Sequence, residues 1–215
     1  VRHSWETGAV RSTCSRCLRP TSFCVCGDLV PVATATRVVL LQHPREARLA
    51  ICSAWLTRLA LANCELHRGF AFGSDDAVQR AALWPGAALL YPGAASIPAT
   101  ELAEAVPVLF VLDGTWLQSE KMLAANPWLA ALPRVRVASA AASGYRDLRR
   151  EPAPHCLSTL EAVALALGEL EGDPSRFEPM RAAFRRMVDL QLACSRDGRR
   201  SPRHRRAPAG PQGPS

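Results

Sequence analysis

A chain of 215 residues with 48% hydrophobic and 21% charged residues carries enough apolar material for one sizeable domain with a small appendage, and too much for a disordered polymer. Its net charge of +7 points toward an acidic partner, nucleic acid foremost. No stretch reaches the ~20 apolar residues of a membrane-spanning helix. The opening VRHSWETGAVRSTC has no continuous apolar run of a secretory leader. The expected setting is therefore the cytoplasm, where thiols stay reduced and clustered cysteines mean metal more often than disulfide.

Residues 1–13 are polar and read as loose, and a cysteine-rich knob follows at 14–26. From Thr36 the chain alternates short apolar runs with amphipathic segments. TRVVLLQ (36–42) predicts a strand rich in β-branched residues. ARLAICSAWLTRLALAN (47–63) predicts a helix with Leu49, Cys52, Leu56, Leu59 and Ala60 on one stripe. CELHRGF (64–70) reads as a strand, DDAVQRAAL (75–83) as a short helix, and AALLYPG (87–93) as a buried strand ended by Pro-Gly. A helix near 98–105, a strand at 107–112, a helix at 116–125 and a strand at 134–138 follow. After the polar loop SAAASGYRDLRREPAPH come a helix at 159–171, opened by a Ser158/Glu161 capping box, and a last helix at 175–194 carrying Phe177, Met180, Phe184 and Met187. Strand–helix alternation implies an α/β fold: a mainly parallel sheet with flanking helices. The expected organisation is an N-terminal segment with the knob (1–30), the α/β domain (31–194) and a disordered tail (195–215). Arg196 to Arg206 hold six arginines against one aspartate, so about five of the seven net charges lie in that tail, either for RNA contact or for solubility.

Three constellations carry chemistry. Cys14-x-x-Cys17 and Cys24-x-Cys26 place four of eight cysteines within thirteen residues. Two close thiolate pairs suit a tetrahedral four-sulfur zinc site, each short loop wrapping one edge of the metal. The other cysteines, Cys52, Cys64, Cys156 and Cys194, read as packing residues.

The second constellation is VPVLFVLDGTWLQSEKML (106–123), which runs from an apolar strand straight into Asp113-Gly114-Thr115-Trp116. An acid at a strand's carboxyl end lies where open α/β sheets bind ligands. Thr115 and Gln118 form a second capping box, which aims helix amides at the same crevice. Leu112, Trp116, Ser119 and Leu123 share one helical face. A buried Trp116 is the plain expectation, and its truncation would then cost ~3–5 kcal/mol. Lys121, a little further on, is the only lysine of the chain. The third constellation is the pair of strand ends LLQHPRE (40–46) and LLYPGAAS (89–96), which bring Gln42, His43, Pro92 and Gly93 toward that crevice.

The cysteine cluster, LQHPRE, LLYPG, LDGTWLQSEKM, NPWLAALPRV, GYRDLRREP and CLSTLEAVA stand in the order of the DTW-domain family. The chain resembles this family over about residues 14–190, most specifically around DGTW, and looks closest to its bacterial tRNA-uridine aminocarboxypropyltransferases. The resemblance implies a SPOUT-like domain, with a knotted chain left open. It implies S-adenosylmethionine as co-substrate, tRNA as partner, and transfer of the 3-amino-3-carboxypropyl group to N3 of a uridine in the variable loop, releasing methylthioadenosine. On this reading Asp113 is catalytic, as base or as anchor. Gln42, His43, Pro92, Gly93, Leu112, Gly114, Thr115 and Trp116 border the cofactor. Lys121, Tyr145, Arg146 and Arg149 face RNA, with the donor carboxylate as the alternative for the three basic residues, and Cys14, Cys17, Cys24 and Cys26 hold structural zinc. The family pattern Tyr-Arg-x-Arg stands here as Tyr145-Arg146-Asp147-Leu148-Arg149, so either arginine fits its second basic position. A SPOUT-like RNA methyltransferase using the same cofactor and a non-catalytic zinc-knob RNA-binding protein are the alternatives. Neither oligomeric state nor target uridine is implied.

Overall fold

The computed structural model describes residues 12–17, 19–48, 52–102, 104–138 and 157–196. Within these, six strands form one sheet: β1 (Arg37–Gln42), β2 (Cys64–Arg68), β3 (Ala88–Leu90), β4 (Ile97–Pro98), β5 (Val108–Asp113) and β6 (Arg134–Arg136), in the order β2-β1-β5-β3-β6-β4. Every pairing is parallel, so all strands point their carboxyl ends to one edge. The helices are α1 (Ser53–Ala60), α2 (Asp76–Ala82), α3 (Trp116–Ala125), α4 (Pro127–Ala130), α5 (Thr159–Leu170) and α6 (Glu178–Arg196). Among the described residues no helix is long and apolar enough to cross a membrane.

The strands are apolar on both faces because helices cover both. Alternate residues divide between two cores, as the two-residue period of a strand requires. Val38, Leu40, Leu109 and Val111 pack with α1, α5 and α6 through Leu56, Leu160, Val163, Leu167, Phe177 and Phe184. Val39, Leu41, Val108 and Phe110 pack with Val78 of α2, Met122 of α3 and Leu129 of α4. The stripe Phe177, Met180, Phe184 and Met187 predicted for the last helix is buried throughout. At Gly168 a Cβ would come within 2.8 Å of the Pro174 Cα, so the turn after α5 folds back only over a glycine.

Two predicted helices are corrected. In place of a helix over 47–63 there is a 3-10 turn at Glu46–Arg48, and α1 runs only from Ser53 to Ala60. Leu61 leaves the helix because it bridges Val32, with the Ala62 N–H donating to the Val32 carbonyl. Among the described residues the segment near 98–105 holds no α-helix either. Ile97 and Pro98 pair with Val135 and Arg136 as an edge strand, and only a 3-10 turn, Ala99–Glu101, follows. In both places pairing with a distant segment overrides local helix preference. The short α4 is an addition. The expected strand at 134–138 is confined to Arg134–Arg136.

Asn126, between α3 and α4, is 1% exposed and fastens the β2–α2 connection to the end of α3. Its Oδ1 accepts from the Phe72 amide (2.8 Å), and its Nδ2 donates to the carbonyls of Phe70 (2.9 Å) and Met122 (2.7 Å). Asn126→Ala strands two buried backbone groups and one half-buried one, and should cost about 2–4 kcal/mol. The expected readout is a lower urea midpoint with an unchanged m-value.

Candidate functional site

The cysteine knob is built from backbone hydrogen bonds rather than an apolar core. Thr13 pairs with Pro20, the Cys14 amide donates to the Arg19 carbonyl (2.8 Å), and 3-10 turns at Thr21–Phe23 and Cys26–Asp28 carry the chain round. These turns gather the sulfurs of Cys14, Cys17, Cys24 and Cys26 within 4.8 Å of one another. The Cys14–Cys26 and Cys17–Cys24 separations are each 3.8 Å. A tetrahedral zinc with ~2.3 Å bonds separates its sulfurs by ~3.8 Å, so these two pairs already have the spacing of a zinc shell. The amides of Cys17 and Arg16 hold the Cys14 thiol down at about 6, while burial raises that of Cys26. Val25 and Leu29, just beyond, enter the main core.

The second assembly lies at the carboxyl edge of the sheet. Asp113 ends β5 and is 7% exposed. Its Oδ2 accepts from Gln42 Nε2 (2.8 Å) and its Oδ1 from the Thr159 hydroxyl (2.6 Å). Beside it a cleft of about 410 Å³ opens where β3, β5 and β6 end. Leu90, Tyr91, Pro92, Val111, Leu112, Gly114 and Trp116 line it, together with Arg136, Val137, Ala138, Thr159 and Ala162. The volume and mostly apolar walls suit a nucleoside-sized ligand. Both expected capping boxes form: Thr115 with Gln118 opens α3 toward this edge, and Ser158 with Glu161 opens α5 there.

The expected cofactor residues separate. Pro92, Leu112, Gly114 and Trp116 line the cleft. Gly93 and Thr115 flank it without lining it; Gly93 turns on Ser96, and Thr115 is the exposed cap of α3. Gln42 is fully buried and reaches Asp113 from the side away from the cleft. His43 pairs its amide with the Asp113 carbonyl (2.9 Å) and sets its ring edge-on to Phe70, outside the cleft walls. The end of β1 therefore supports the acid, and the end of β6, which the sequence left unmarked, takes the place expected for it. Lys121 is exposed on α3 and does not line the cleft. Tyr145, Arg146, Arg149, Cys156 and the tail from 197 lie outside the described residues, as does the Cys194 side chain.

Trp116 corrects its expectation. It is 43% exposed and meets Tyr91 edge-on at 5.9 Å, while Ser119 is the residue of that helical face that is buried. As the first residue of α3 it projects over the cleft rather than into the core beneath. Sequence reasoning also missed Tyr91, Arg136 and Thr159. Thr159 carried no signal beyond following an N-cap serine, because its value comes from where α5 begins.

A family description, the DTW domain, matches residues 11–192. The chain belongs to the DTW-domain family. It is 34% identical over 191 residues to tRNA-uridine aminocarboxypropyltransferase 2 of Drosophila melanogaster, covering 85% of this chain and 76% of that one. It is 28% identical over 209 residues to the protein of the same name from Macaca fascicularis, covering 93% and 70% of the two chains. It is 28% identical over 220 residues to tRNA-uridine aminocarboxypropyltransferase A of Arabidopsis thaliana, covering 84% and 81%. No solved structure matches the chain.

Two outcomes follow from this geometry. The purified protein should carry about one zinc per chain by elemental analysis, and Cys24→Ser should lose both the metal and thermal stability. Trp116→Ala should lower stability by no more than about 1–2 kcal/mol in a urea titration, since much of the ring already meets water.

Proposed function

We propose that the chain is a tRNA-uridine aminocarboxypropyltransferase, taking the 3-amino-3-carboxypropyl group of S-adenosylmethionine to N3 of a tRNA uridine in the variable loop and releasing methylthioadenosine. The observation that carries this is the cleft at the carboxyl edge of β3, β5 and β6, with the Asp113–Thr159 pair in reach of its wall, in a DTW-domain chain. The all-parallel sheet with a ligand cleft at its carboxyl edge supports a SPOUT-like reading of the fold. A tRNA substrate supports a cytoplasmic setting.

The sulfonium donor supplies an already activated carbon, so the protein's task is to select which carbon meets the nucleophile. Pro92, Leu112, Gly114 and Trp116 would border the donor, and the Arg136 guanidinium, at the cleft, suits its carboxylate. In transfer, N3 bonds to the first carbon of the aminocarboxypropyl chain as that carbon leaves sulfur, which departs as a neutral thioether. The N3 proton must go somewhere. Both Asp113 oxygens already accept hydrogen bonds, so the acid works through Thr159. The hydroxyl takes the N3 proton as its own passes to Asp113 Oδ1 along the 2.6 Å bond. Gln42 holds the other oxygen. Lys121, Tyr145, Arg146 and Arg149 are assigned to tRNA phosphates, and the four-cysteine zinc is structural because its shell leaves no open position.

Incubation with S-adenosylmethionine and undermodified tRNA, followed by nucleoside mass spectrometry, tests the reaction. Aminocarboxypropyluridine and methylthioadenosine are the expected products, whereas S-adenosylhomocysteine would mark a methyltransferase. Asp113→Asn should lower the single-turnover rate by ~10²–10⁴-fold at saturating donor. Thr159→Val should slow the same step while leaving tRNA affinity unchanged. Normal turnover by Asp113→Asn together with lost donor affinity would make the acid an anchor rather than a base.

A further inference from the structure

Gln42 has no route to a ligand in the cleft, yet every polar atom of its side chain is committed. Its Nε2 donates to Asp113 Oδ2 (2.8 Å) and reaches the Cys52 sulfur at 3.0 Å, and its Oε1 accepts from Arg68 Nε (3.1 Å). A guanidinium only donates and a carboxylate only accepts, so the amide fits in one orientation. Flipping it would set donor against donor at Arg68 and acceptor against acceptor at Asp113. Arg68 thereby holds Gln42 in the orientation in which its amide donates to the acid.

Arg68 is itself tied to the knob. Its guanidinium lies 5.5 Å from the centre of the Trp55 ring, and Trp55 Nε1 donates to the Arg16 carbonyl (3.1 Å), inside the Cys14–Cys17 loop. A second tie starts at Arg19, two residues beyond Cys17. This guanidinium is 7% exposed and gives one hydrogen bond, from Nη2 to the Cys52 carbonyl (3.2 Å), while Nε and Nη1 have no partner. Cys52 caps α1 and offers its sulfur to Gln42. Both ties leave the cysteine loop and end on the same side chain. A buried, under-satisfied guanidinium is costly, and its one bond serves to hold the residue that touches Gln42.

We propose that Gln42 is a positioning residue for Asp113, and that the cysteine knob fixes its orientation through Trp55–Arg68 and Arg19–Cys52. The knob then reaches the reactive edge as well as closing its own loop. This rests on Asp113 being the acid of the reaction proposed above.

Arg68 is exposed, so its replacement leaves the core intact. The test follows the Asp113 carboxyl carbon by NMR in ¹³C-aspartate-labelled protein, assigned through Asp113→Asn, alongside single-turnover rates. Arg68→Met should move that resonance and slow transfer about tenfold without raising the KM for tRNA, and Arg68→Lys, which keeps a donor, should restore both. In an Asp113→Asn background Arg68→Met should have no further effect, because its influence passes through the acid. Trp55→Phe keeps a ring beneath Arg68 but loses the bond to Arg16, and should move the same resonance with zinc content unchanged. An unmoved resonance in Arg68→Met, or rate losses that multiply in the double variant, overturns the positioning role. A resonance that moves in Arg68→Met but not in Trp55→Phe overturns the knob's part. Absence of transfer in the parent protein would instead overturn the reaction, and the resonance would still report the tie.

Discussion

The register of β1 against β5 sets Gln42 directly beside Asp113, and most of the reactive edge depends on that pairing. Both residues end their strands, and both fall on the strand face that Val38, Leu40, Leu109 and Val111 turn toward α1, α5 and α6. The two helices that begin at this edge supply further partners: Cys52 at the cap of α1 and Thr159 in the first turn of α5. A slip of one residue would turn Gln42 and Asp113 to opposite faces and separate them. The apolar alternation forbids such a slip, because it would also carry Leu40 and Leu109 out of their core. Hydrophobic burial thus sets the position of a polar network it never touches.

Placing an acid in a nearly closed site requires that its charge be answered there, since an unpaired buried carboxylate would take up a proton. The amide of Gln42 and the hydroxyl of Thr159 each donate to it there. Arg68 stays one residue removed, acting on the amide rather than on the acid.

The knob has no core of its own. Among its described residues Val25 and Leu29 reach the main core, and a loop this short cannot bury enough apolar surface to order itself. Its four sulfurs lie within 4.8 Å of one another and could hold a metal ion, which would supply the missing order. Once rigid, the loop presents the Arg16 carbonyl and the Arg19 side chain at fixed points against α1. A metal bound there would stabilise these turns and also give a surface helix a stationary neighbour.

Much of this was legible along the chain. The strand and helix periods, both capping boxes, the four-cysteine spacing and the acid at the end of β5 are local patterns, and local patterns follow from residue type and spacing alone. The helices expected over 47–63 and 98–105 were misread because Leu61 and Ile97–Pro98 pair with partners far away in sequence. Trp116 was placed in the core by its helical stripe, yet a residue in the first turn of a helix at a sheet edge overhangs the cleft instead. Gln42 looked like a ligand contact, and only the pairing of β1 with β5 showed that it faces the acid. The sequence by itself determined which groups the protein has and which segments carry them. Tertiary structure decided which strand ends border the cleft and which stand behind it, because strand order is set by burial summed over the whole sheet, and no single segment carries that sum.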